Sequence, residues 1–154
     1  MTYDPSVDTI RKRILDNVQE ALESIAGPPT YAHRVAMVRQ FLGNAMEFPN
    51  YPAIAIVPRA TRSDDSRLAL IEHVVPMTLL LMVRSSTWRD DIQRLLADCR
   101  VALLSDHTRG GVALTTRATV EEIQDSELSS PLGGAEMEIE VLYRTLYHDP
   151  GSAI

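Results

Sequence analysis

The sequence predicts an α/β protein of the α+β type: a mainly antiparallel sheet with two α-helices packed on one of its faces. Three observations lead there. One apolar stripe at helical spacing opens the chain, a second crosses its middle, and the remaining apolar segments either alternate with period two or run unbroken, as strands do. The order is helix, two strands, a long strand, helix, two strands.

Val7, Ile10, Ile14, Val18, Leu22 and Ile25 recur at steps of three and four, which predicts a helix over 5–26. Asp4 suits its cap, Pro5 its first turn, and Gly27-Pro28-Pro29 its end. Residues 34–39 read as a short strand, and 53–57 as a second between Pro52 and Pro58, with a turn at Gly43-Asn44. The stretch 59–67 is polar and unpatterned, so it is expected to be a mobile loop. Its Arg59, Arg62, Asp64, Asp65 and Arg67 are candidate partner contacts.

From Leu68 to Arg84 the chain is almost continuously apolar, so both faces of this strand are expected to be covered, with Pro76 marking a bulge, bend or edge. Thr87, Asp90 and Asp91 start a second helix whose apolar face is Trp88, Ile92, Leu95, Leu96, Cys99 and Leu103, ending near 105. Val112, Leu114, Thr116, Ala118 and Val120 alternate as a half-buried strand over 112–124. Residues 125–134 read as a polar, glycine-ended connection. In the last strand, 135–148, Met137, Ile139, Val141, Tyr143 and Tyr147 alternate with Glu136, Glu138, Glu140, Leu142, Arg144 and His148. Residues 149–154 are expected to be a flexible tail of this single domain.

A chain of 154 residues suffices for one core that buries roughly 70% of the unfolded surface. The net charge of −6, with no basic run longer than Arg11-Lys12-Arg13, disfavours tight nucleic-acid binding. Lys12 is the only lysine, which fits either a protein interface, where arginine is the favoured cation, or the codon bias of a GC-rich genome. A lone Cys99 excludes an intrachain disulfide and, lying on an apolar stripe, reads as a packed thiol. No secretion signal or membrane-length apolar run is visible.

Chemical motifs are sparse. The sequence contains no glycine-rich phosphate loop and no Gly-x-Ser-x-Gly elbow, and the four histidines lack metal-ligand spacing, so no catalysis, cofactor or metal is expected. Glu72 and His73, adjacent on a strand, point to opposite faces and form no dyad. Asp106-His107 and His148-Asp149 read as plain segment ends. Glu136, Glu138 and Glu140 share one face at about 6.7 Å spacing, where they repel by only about 0.6 kcal/mol per neighbour in water. They fit either a solvated face or the wall of a channel.

The opening helix, the segment Pro49-Asn50-Tyr51-Pro52-Ala53-Ile54-Ala55-Ile56, the apolar Leu79-Leu80-Leu81-Met82-Val83, the second helix and the closing Glu138-Ile139-Glu140-Val141-Leu142-Tyr143-Arg144 together resemble the tail terminator family of long-tailed bacteriophages. The resemblance implies a structural virion protein, assembled in the host cytoplasm as a hexameric ring that caps the tail tube, ends its polymerisation and meets the head-side connector. DNA would pass through the lumen without specific binding. Another neck or head-closure ring is the alternative, with a small-ligand binding module or an enzyme as rivals from other classes.

Overall fold

The computed structural model describes residues 4–40, 48–67, 69–124 and 132–154. The expected turn at Gly43-Asn44 and most of the 125–134 connection lie outside them. Helix α1 spans Ile10–Glu23 and buries Ile10, Ile14, Leu15, Val18 and Leu22, the stripe its spacing predicts. It starts later than expected, because Thr9 and not Asp4 is its cap: the Thr9 hydroxyl accepts from the Lys12 N–H. Asp4 instead closes a turn on Ser6, and Val7 is left exposed. Ser24 ends the helix, and the left-handed Gly27, with φ of 89°, falls in the turn that follows.

Strands β1 (Met37–Gln40), β2 (Ala53–Pro58), β3 (Arg62–Arg67) and β4 (Leu70–Arg84) precede helix α2 (Trp88–Leu104), and β5 (Thr115–Gln124), β6 (Leu132–Leu146) and β7 (Asp149–Ala153) follow it. The sheet order is β1-β2-β4-β6-β5, with β3 pairing β4 and β7 pairing β6. Every pairing is antiparallel except β1 with β2. Two 15-residue strands, β4 and β6, form its spine, paired without a break from Leu70↔Leu146 to Arg84↔Leu132.

Both helices pack on one face. Their apolar stripes meet Val38, Ile54, Ile56, Val75, Met77, Leu79, Leu81, Met137, Ile139, Val141 and Tyr143 in one buried cluster. Cys99 is fully buried there, and burial pushes its thiol far above the usual range. Pro76 sits where β2 gives way to β3: the Arg59 N–H donates to its carbonyl at 2.9 Å, and the reciprocal bond that a proline cannot donate falls at the break between the two strands.

Several sequence expectations are corrected. Residues 62–67 of the expected loop form edge strand β3, joined to β4 through Arg62↔Val74, Ser63↔His73, Asp64↔Glu72 and Arg67↔Leu70. An edge strand needs few apolar side chains, and charges along it discourage pairing with another chain, so its composition imitates a loop. The expected flexible tail is strand β7, in which the Gly151 N–H donates to the buried Asp149 carboxylate and the Arg13 guanidinium donates to the Gly151 carbonyl. Gly133 and Gly134, read as part of a connection, lie within β6. In β5 the register shifts between Ala118 and Val120, so Thr119 is the extra residue of a bulge. Val120 is thereby turned outward and is 47% exposed, on the face opposite Thr116 and Ala118. Tyr147 lies past the end of β6 and is exposed, whereas Tyr143 is buried as expected. Thr87 caps α2 without a side-chain bond to the backbone, its hydroxyl donating instead to Asp91.

Candidate functional site

Alternation in β6 puts Glu136, Glu138 and Glu140 opposite the buried Met137, Ile139 and Val141, on the sheet face that neither α1 nor α2 covers. Cross-strand register brings the rest of that face together. Thr78 pairs with Glu138, Leu80 with Glu136, Arg117 with Glu140 and Glu122 with Glu136. At one end the face is apolar: Phe48, Ala53 and Ala55 are buried, with Met37, Tyr51, Leu80 and Met82 half-buried around them. The expectation that both faces of β4 are covered thus holds in full only on the helix side.

The carboxylates do not stand as an unrelieved acidic ladder. Arg62 reaches Glu140 at 3.0 Å and Arg117 reaches it at 3.4 Å, while Gln124 donates to Glu136 at 2.8 Å. Glu138 is exposed and makes no ion pair among the described residues. The structure therefore unites residues that the sequence reading kept apart, since Arg62 of the supposed contact loop neutralises one of the supposed channel glutamates. Arg59 lies on the same face, donating to the buried Thr78 hydroxyl at 3.2 Å beside a small hollow lined by Glu138 and Glu140. Asp64 and Asp65 are exposed along β3, with Asp64 opposite Glu72. Arg67 pairs through its backbone with Leu70 at the hairpin end. The cross-strand ion pairs here are solvent-facing, so each is worth at most about 1 kcal/mol. Their effect is to fix side-chain positions across β3, β4, β6 and β5.

Glu72 and His73 face opposite ways, as strand geometry requires. Glu72 accepts from Arg144 at 2.7 and 3.0 Å on the uncovered face. On the helix side, His73 stacks on Tyr143 with ring centroids 4.5 Å apart, its Nδ1 2.8 Å from the Ser63 hydroxyl and its Nε2 2.9 Å from the Thr145 hydroxyl. Nothing in the local sequence signals this group, because its members meet only through the register of β3, β4 and β6. A serine beside a histidine suggests a nucleophile and its base, but a threonine hydroxyl cannot stabilise an imidazolium as a carboxylate does, so this geometry fixes a ring more than it activates a serine.

Burial lowers the His73 pKa below its ordinary value of 6.5. In the unfolded chain the imidazole takes up a proton more readily than in the fold, so this contribution to stability is present above about pH 6.5 and is lost as pH falls from there through the folded pKa. The stability of the wild-type protein should accordingly decline over that interval more steeply than that of a His73→Gln variant, in urea titrations at successive pH values. Parallel curves for the two proteins would contradict it.

Asp98 is the other buried acid with a visible task. It lies on α2 at 7% exposure and accepts from the backbone N–H groups of Ala32 and His33 at 3.0 and 2.9 Å, with the His33 ring 3.5 Å away. Asp106 organises the turn after α2, accepting from Thr108 and Gly110, and the buried Arg109 donates to the carbonyls of Leu103 and Asp106 at the helix end. These are scaffold roles, in keeping with the reading of Asp106-His107 as a helix terminus. Among the described residues no cluster of three or more His, Cys, Asp or Glu side chains is arranged to hold a metal ion, and no helix is long and apolar enough to cross a membrane. Compared with known proteins, the chain matches no family model and no curated protein sequence, so its sheet face and not a relationship defines the candidate site.

Proposed function

We propose that this chain is a structural phage protein that works by assembly, forming a ring that caps a tail tube, ends its growth and meets the head-side connector, as the tail terminators it resembles do. The observation that carries this reading is the two-sided sheet. One face is sealed by both helices, while the other presents an apolar end beside cross-linked charges, a composition suited to contact with protein. In this reading the ring has six copies, Glu136, Glu138 and Glu140 border the lumen, and Arg59, Arg62, Asp64 and Asp65 meet a neighbouring subunit or the tube.

Mixing the purified protein with tail tubes should add six copies per tube end, measured by native mass spectrometry. A protein that stays monomeric and never joins tubes overturns the proposal. Arg62→Glu replaces one of the two cations paired with Glu140 by an acid and is expected to leave the fold intact while yielding overlong or headless tails by electron microscopy. Normal particles would remove β3 from the contact.

The lumen assignment predicts a separate result. With Glu140 already paired to two arginines, Glu138 is the carboxylate best able to repel passing DNA, and sixfold repetition multiplies its field. Glu138→Lys should preserve ring formation and slow genome ejection several-fold, with partial recovery at higher salt, because screening acts beyond about 8–10 Å. Unchanged ejection kinetics would place the glutamates on the ring's outside.

A further inference from the structure

On the helix side of the sheet, where the start of α1 passes the ends of β3, β4 and β6, there is an open cleft of about 470 Å³. Its volume falls in the range of small-ligand sites, and most of its wall is apolar, contributed by Ile71, Leu146, Pro150 and the Tyr143 ring. Its charge is opposite to that of the protein around it. In a chain of net charge −6, the lining contains the cation Arg11 and no acidic side chain.

Arg11 is held but not used up. Its Nε donates to the Thr61 hydroxyl at 3.0 Å, which aims the guanidinium, and its terminal nitrogens make no hydrogen bond among the described residues. The side chain is half-buried, where an unneutralised guanidinium attracts a counter-charge more strongly than it would in open water. It lies near enough to Tyr143 for its charge to act on the phenol. The facing wall is rigid: His73 is flat against Tyr143, interplanar angle 20°, with both ring nitrogens tied to Ser63 and Thr145. The N-terminal end of α1, whose cap Thr9 lines the cleft, adds its positive dipole.

We propose that this cleft is a binding site for a small amphipathic carboxylate, the acid group held by the two terminal nitrogens of Arg11 and the apolar body lying along Ile71, Leu146 and the His73–Tyr143 stack. A planar guanidinium fork pairs bidentately with a carboxylate, and the wall supplies area for one short aliphatic or aromatic group. The site is on the face opposite the assembly surface and does not depend on the ring reading.

The test uses 4-phenylbutyrate as probe on the full-length protein, by isothermal titration calorimetry and ligand-observed NMR, against 4-phenylbutanol, which lacks the charge, and propionate, which lacks the aromatic body. The expected result is saturable binding of 4-phenylbutyrate, at least about tenfold tighter than either control, each tenfold step corresponding to about 1.4 kcal/mol. Arg11→Met keeps the stem and removes the fork, and should weaken binding by about tenfold or more with the thermal midpoint little changed. Thr61→Val, which frees the guanidinium without deleting it, should weaken binding by a smaller factor. The proposal is overturned if 4-phenylbutyrate fails to bind at millimolar concentration, if 4-phenylbutanol binds equally well, or if a folded Arg11→Met binds like the wild type.

Discussion

Asp98→Ala is expected to destabilise the fold by about 4 kcal/mol, the sum of two charge-assisted hydrogen bonds and the desolvation of the donors they leave behind. Its carboxylate is the acceptor for two successive N–H groups, those of Ala32 and His33, and it holds the segment between α1 and β1 onto α2. Removing it leaves those donors part-buried without an acceptor and strips the His33 ring of a neighbour at 3.5 Å. Asp98→Asn retains one acceptor oxygen and should cost about half as much. Chemical denaturation of the three proteins measures this. A midpoint for Asp98→Ala within error of wild type would mean that water replaces the carboxylate and that the segment is not held by it.

Gly133→Ala should cost about 3 kcal/mol, near the upper end of the usual range for overpacking. A β-carbon at position 133 would lie 2.3 Å from Trp88 Cε3 and 2.7 Å from Cδ2, closer than carbon atoms can approach, so the indole must leave its place at the start of α2. The loss should be conditional on that ring. In a Trp88→Leu background the same Gly133→Ala change should cost less than about 1 kcal/mol, and the resulting coupling is read from a double-mutant cycle. Additive effects in that cycle would show that Gly133 is required by its backbone and not by its neighbour.

These two residues also mark what was legible in advance. Its place on the α2 stripe marks Trp88 as a core-facing side chain, and it packs against the core, whereas Gly133 reads locally as the glycine end of a polar connection although it lies within β6. Only the crossing of α2 over β6 gives that glycine its task. Asp98 lies among the apolar positions of α2, and a single acid there carries no local sign that two backbone donors more than 60 residues away will meet it.

The candidate assembly face divides in the same way. Period-two alternation was enough to put Glu136, Glu138 and Glu140 opposite Met137, Ile139 and Val141, since desolvation of one strand face leaves a pattern in the residues themselves. That Arg62 and Arg117 relieve Glu140 depends on pairings across 78 and 23 positions, which no periodicity records.

By itself, then, the sequence determined the two helices, the strands β2, β4 and β6, the face that each helix and β6 turn to the core, and the burial of Cys99, because each follows from which side chains must leave water along one element. Tertiary structure alone decided that the polar stretch 62–67 and the tail at 149–153 are strands, that a bulge at Thr119 reverses Val120, and that Arg11, Thr61, Ser63, His73 and Thr145 surround one cleft. The reason is common to all of them. An edge strand, a bulge and a cleft take their form from partners remote in the chain, and hydrogen bonds and steric contacts between such partners leave no periodic trace in either segment.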